Sequence, residues 1–274
     1  MTLREQFERD GYLVLENFNS HDQCNRLMQR ALELAGTFEI NNEFSVFQTK
    51  NQAATSDDYF LNSGDRIACF FEKDAFDEHG TLKQSLFLSL NKLGHAMHDM
   101  DEVYSAFTRS AQMKELVHAL GLTSYVAIQS MHIFKHARIG GVVDVHQDST
   151  FLYTEPTSCI GFWFALEDAT IENGCLWAKP GGHQTTLRSR FQRKEGGGTE
   201  MITLHEEEMA IDDMIPLEVK KGACIVLHGH LPHFSQPNTS GRSRQAYAVH
   251  LIDPTAYYPS DNWLRREAAT LQTI

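Results

Sequence analysis

The chain lacks long apolar runs. No segment approaches the roughly 18 consecutive apolar residues that a membrane span needs, and no basic region followed by an apolar stretch opens the chain as a signal peptide would. It has no C-x-x-C pair. Its five cysteines, Cys24, Cys69, Cys159, Cys175 and Cys224, are odd in number and scattered. That argues against a disulfide framework and for reduced thiols in a cytoplasmic compartment. The end of the chain, Leu271-Gln272-Thr273-Ile274, is not a peroxisomal address. Positive charge is scarce as well: 24 Lys and Arg stand against 36 Asp and Glu, a net charge of −12. A nucleic-acid-binding surface needs clustered Lys and Arg, so nucleic acid is not an expected partner. Internal repeats and low-complexity linkers are absent too.

What is present is enough for a full core, with 42% hydrophobic against 22% charged residues over 274 positions. Helical patterns gather before about residue 120 and strand patterns after about 124. A helix is expected at 2–10, a strand at Tyr12–Leu15, and a helix from an Asn19-Ser20 cap to about Leu34. Residues 37–80 read as irregular, with a strand at Cys69-Phe70-Phe71. Leu90, Leu93, Ala96 and Met97 recur three or four apart, which predicts helix over about 86–120 and places His95 and His98 at its exposed or core-edge positions. Strands are expected at Tyr125–Phe134, Val142–Val145, Ile160–Leu166, Gly174–Ala178, Pro216–Val219, Ala223–Leu227 and Gln245–Ile252. Residues 184–215, with Gly196-Gly197-Gly198 and Glu206-Glu207-Glu208, read as a solvated excursion or lid. The expected class is α+β: one domain over 1–274, with a helical front half at about 1–120 and a jelly-roll core of the cupin kind at about 124–253.

The chemistry gathers at His146-Gln147-Asp148. Residues two apart on an extended chain face the same side, so one imidazole and one carboxylate share a space. Two His and one carboxylate form the facial iron site of non-haem oxygenases, with positions left open for co-substrate and O2. The third ligand has three candidates in His228-Gly229-His230-Leu231-Pro232-His233. His228 ends an apolar strand and is expected to pack, and His230 sits in the turn and is expected to be solvated. Arg244 opens the last strand, on one face with Ala246, Ala248, His250 and Ile252. It is either a surface residue at a strand end or an inward guanidinium, and an inward one needs an anion such as a dicarboxylate.

This constellation resembles the phytanoyl-CoA dioxygenase family of iron(II)- and 2-oxoglutarate-dependent oxygenases, and within it the domain-containing protein 1 subgroup. Phe7 with Asp10–Leu15, and the runs Tyr59–Asp65, Asn91–Ala96, Phe151–Pro156, Glu167–Thr170, Glu172–Trp177 and Ser243–Tyr247, carry the likeness over nearly the whole chain. The resemblance implies a double-stranded β-helix with supporting helices. It implies Fe(II) on His146, Asp148 and His233, because the family places its anchoring Arg eleven residues after the distal His, as Arg244 lies after His233. It further implies that Arg244 holds 2-oxoglutarate and that Lys92, Met131, Gln147 and Trp163 line the co-substrate pocket. O2 would be the oxidant, succinate and CO2 the by-products, and a small-molecule or acyl-type C–H bond the target. Halogenating relatives lack the carboxylate ligand, so Asp148 points to hydroxylation. The alternative is a metal-binding jelly roll, scaffold or cupin-like enzyme, that does not turn over 2-oxoglutarate. Two departures stand out: Pro180-Gly181-Gly182-His183 replaces the family's Pro-Gly-Ser-His, and His230 is not the usual residue there.

Overall fold

The structure is a computed structural model that describes residues 1–38, 45–46, 57–122, 124–207, 209–266 and 271–274. Parts of the expected irregular stretch, 39–44 and 47–56, lie outside the described residues, as does Glu208 of the acidic run.

The first helix, Leu3–Asp10, starts where the Thr2 hydroxyl accepts from the Glu5 amide and the Glu5 carboxylate accepts from the Thr2 amide. It stops at Gly11, whose φ of 78° suits glycine. The chain then enters β1 (Tyr12–Leu15). Ser20 caps the helix His21–Gly36 by the same reciprocal pattern.

Two antiparallel-rich sheets face each other as a double-stranded β-helix. In the larger, β1 pairs with β12 (Cys224–His228), then follow β7 (Ile160–Ala165), β14 (Ala246–Ile252), β5 (Val126–Ile133), β4 (Leu90–His95), β3 (Ile67–Phe71) and β2 (Ser45–Val46). The smaller sheet runs β11 (Ile215–Leu217), β8 (Leu176–Ala178), β13 (His233–Ser235), β6 (Val143–His146). Alternation along β7 explains the layering. Phe162 and Phe164 join a core with Leu27, Ala31, Tyr104 and Leu116 of the helices. Trp163 and Ala165 join a second core with Leu176, Ala178, Leu217, Ala246 and Ala248, between the sheets. Both faces are buried, which is why this strand is apolar throughout.

Three expectations are corrected. Leu90–His95 is a strand, β4, paired with β3 and β5, and not the start of a long helix. Its residues are buried on both faces, so the period of two is masked and the spacing of Leu90 and Leu93 imitates a helix. Among the described residues the front half therefore contributes four strands to the large sheet and is not simply helical. His95 and His98 are fully buried, held by Ser63 and Ser130 at 2.7 Å each. Residues 184–215 are only partly the expected solvated excursion: 201–207 and 210–213 are exposed, but the segment also carries packed structure. They contain the hairpin β9 (Ser189–Arg193) and β10 (Thr199–Thr203), turned by three glycines with positive φ. Phe191 of β9 is fully buried against Phe151 and Trp263.

Candidate metal centre and its cavity

His146 ends β6 and His233 begins β13, and the two are direct partners across the antiparallel pair. Each imidazole is tied to its own chain in the same way. The Nδ1–H of His146 donates to the Asp144 carbonyl at 2.8 Å, and that of His233 to the Leu231 carbonyl at 3.0 Å. In the neutral ring both tethers put the proton on Nδ1 and leave Nε2 free for metal. At His146 burial lowers the pKa, but the Asp148 carboxylate outweighs it and raises it above the ordinary value, a proton that a metal would displace. Asp148 follows His146 in a short 3-10 turn, Asp148–Thr150. Its Oδ1 lies 3.5 Å from Nε2 of His146 and 3.6 Å from Nε2 of His233. The three donor atoms all fall within 4.8 Å of one another. Two imidazole nitrogens and one carboxylate converging in a buried pocket fit a divalent iron. Burial works to raise the Asp148 carboxyl, but the facing imidazoles of His250, His233 and His146 outweigh it and hold it well below the usual range. Burial, helped by His146, pushes His233 down to about 4.

The turn between β12 and β13 is stitched to this site. The Ser149 amide donates to the Gly229 carbonyl at 2.9 Å. A Cβ at Gly229 would lie 2.4 Å from the Cys159 carbonyl oxygen, so the two chains meet only because residue 229 has no side chain. Gln147 departs from its expected place. Its Nε2 donates to the His230 carbonyl at 2.7 Å and its Oε1 accepts from the Arg188 amide at 2.9 Å, so its amide ties segments together and does not line the cavity. His228 packs as expected, against Phe7 and His183. His230 is half-buried rather than solvated, because His183 and His228 enclose its ring.

A cavity of about 270 Å³ joins the His146–Asp148–His233 cluster to Arg244, Lys92, Met131 and Trp163. Arg244 faces inward, 2% exposed. Its guanidinium carbon lies 5.1 Å from the Trp163 ring centroid. Since Trp163 pairs with Ala248, the side chain leans along β14. Nε and Nη1 are buried without a hydrogen-bond partner. Burial lowers the guanidinium to about 10, still charged at neutral pH. A buried cation with unsatisfied N–H groups is costly and calls for an anion. Lys92 on β4 is also buried in the cavity wall, its amine lowered by burial to about 7. Sequence reasoning gave no role to His250, Lys135 or Glu72, which line the same cavity. For His250 the signal existed: it shares the alternation from Arg244.

Fold and site together define a non-haem iron oxygenase of the double-stranded β-helix class. Residues 7–246 match the phytanoyl-CoA dioxygenase (PhyH) family, and the chain belongs to that family. It is 44% identical over 263 residues to the phytanoyl-CoA dioxygenase of Arabidopsis thaliana, covering 95% of this chain and 91% of that one. It is 41% identical to phytanoyl-CoA dioxygenase domain-containing protein 1 of Mus musculus, covering 95% and 93%. Among solved structures, the epimerase SnoN in complex with Fe3+, alpha ketoglutarate and nogalamycin RO superposes with a TM-score of 0.65 at 14% identity, covering 97% of this chain and 88% of that one. EvdO2 of Micromonospora carbonacea, complexed with 2-oxoglutarate, gives 0.59 at 18% identity, covering 96% of each. The protein is an iron(II)- and 2-oxoglutarate-dependent dioxygenase. Among the described residues no helix is long and apolar enough to cross a membrane.

Proposed function

We propose that the protein hydroxylates a C–H bond of a small-molecule or acyl-type substrate, converting 2-oxoglutarate and O2 to succinate and CO2 as it does so. The whole chain acts as one catalytic domain in this reading. The observation that carries it is Arg244, a buried guanidinium with unpaired N–H groups on the cavity that also holds the His–Asp–His cluster. His146, Asp148 and His233 hold the iron. When bound, iron supplies the activation of O2 that the polypeptide alone cannot. Arg244 grips the distal carboxylate of 2-oxoglutarate through parallel N–H donors, and Trp163 supports the guanidinium from its face. Met131 closes the wall beside Trp163, since both pair with Ala248. Asp148 would supply the carboxylate ligand that halogenating relatives lack, which favours return of a hydroxyl group to the substrate. Oxygen balances: one atom enters succinate and the other the product alcohol. The test is a screen of small metabolites and acyl compounds for stimulated succinate formation. Iron-loaded protein that yields no succinate with any of them overturns the reading.

Lys92 gives this reading a pH dependence. Its amine titrates near 7 because burial disfavours the charged form. A carboxylate arriving nearby favours the ammonium, so binding takes up a proton above pH 7. Affinity for 2-oxoglutarate should therefore fall as pH rises from 7 towards 9, by up to about tenfold per unit. Lys92→Met should flatten that slope. Titrations at several pH values measure it, and a slope that persists in the variant assigns the proton elsewhere.

A further inference from the structure

We propose that His250 is a positioning residue: once metal is bound, its Nε2–H closes on Oδ2 of Asp148, donates to it and keeps that oxygen off the metal. The inference rests on the metal reading above. Asp148 presents two differently placed oxygens. Oδ1 faces the Nε2 atoms of His146 and His233. Oδ2 is buried and has no hydrogen-bond partner here, and the ion-pairing group nearest to it is Nε2 of His250 at 3.4 Å. His250 comes from another part of the fold, β14 in the large sheet, whereas the two histidine ligands come from the small sheet. The carboxylate thus sits between the sheets, with one oxygen addressed by each.

The strand beside His250 is shaped for this contact. Its partner on β7 is Gly161, set among Ile160, Phe162, Trp163 and Phe164. A Cβ at 161 would lie 2.8 Å from Oδ2 of Asp148 and 3.4–3.5 Å from the His250 ring. Any side chain there would push the carboxylate and the imidazole apart. The tautomer follows from the same geometry. No metal would stand between Nε2 of His250 and Oδ2, as it would between Oδ1 and the rings of His146 and His233, so an unprotonated Nε2 would set its lone pair against an anionic oxygen and the proton belongs on Nε2. Nδ1 of His250 is then an acceptor, and it has no hydrogen-bond partner.

The consequence is a coordination count. Two histidines and a one-point carboxylate leave three of six positions, two for 2-oxoglutarate and one for O2. A carboxylate that closes with both oxygens removes one of those three. By occupying Oδ2, His250 preserves the third open position and fixes the orientation of Oδ1, as partners of ligating groups do in other metal sites.

The experiment compares His250→Leu, His250→Gln and Gly161→Ala with the wild type. Co(II) is titrated anaerobically and followed by its visible ligand-field absorption, then 2-oxoglutarate is added. We expect His250→Leu to lower Co(II) affinity about 10–100-fold, with a changed band shape and weaker 2-oxoglutarate binding. Gln keeps an N–H donor and should restore affinity to within a few-fold. Gly161→Ala should mimic Leu, since its Cβ parts the same pair while both residues keep their own side chains. If Leu does not fold, Gly161→Ala and Gln still decide. A Leu or Ala variant that binds Co(II) and 2-oxoglutarate with the wild-type spectrum overturns the proposal, as does a Gln variant as impaired as Leu. Failure of the wild type to bind Co(II) at all would instead overturn the metal reading beneath it.

Discussion

Arg244→Ala should weaken 2-oxoglutarate binding by about two to three and a half orders of magnitude and leave iron affinity nearly unchanged. Breaking a buried charge pair costs about 3–5 kcal/mol, and each 1.4 kcal/mol is about tenfold in affinity. Arg244 is 2% exposed with Nε and Nη1 unpaired, so water cannot take over its role towards a bound carboxylate. Arg244→Lys should fall between the two, keeping the charge but losing the planar fork. Anaerobic titration of the iron-loaded protein, read by its visible charge-transfer absorption, gives the affinity. An unchanged affinity in the alanine variant would sink the assignment of the anchor.

His233→Ala should lose both bound iron and succinate production, and Asp148→Ala should do the same. His233 lies 3.6 Å from Asp148 and its Nδ1 is already committed to the Leu231 carbonyl. His230→Ala should keep most of both. The backbone of residue 230, not its ring, accepts from Gln147, and that contact survives truncation. Counting iron per chain alongside succinate separates the cases. Loss of iron in His230→Ala with retention in His233→Ala would mean that a different histidine completes the site.

Much of the site could be read before the fold was known, because its logic is local. His146 and Asp148 are two apart, whereas alternation with two alanines left Arg244 open between a surface and an inward place, and the structure buries it. The pairing of His233 with His146 across β13 and β6 is a long-range register that no local pattern encodes. For the same reason Gln147 was misplaced: its partners at His230, Thr186 and Arg188 are 39–83 residues away. The strand Leu90–His95 was hidden because burial on both faces erases alternation, and that error set Lys92 on a helix. The hairpin containing Phe191 was hidden by its polar neighbours, although its three glycines mark the turn. His250 lay on the predicted face of the last strand, but only the approach of Asp148 from the other sheet gives it a role.

The five thiols have a use that lies outside catalysis. All are buried and free, and they are spread over the helix His21–Gly36, β3, β12, the segments leading into β7 and β8 and hence most layers of the fold. Burial pushes Cys69 up to about 12 and Cys175 up to about 11, so scarcely any reactive thiolate exists in the native state. Alkylation must wait for each layer to open. The order in which the five react, read by mass spectrometry of peptides, is therefore an intrinsic clock for local against global unfolding. Thiols that react together would mark one cooperative unit. Cys24 reacting ahead of the strand thiols would show the helical layer peeling from an intact barrel.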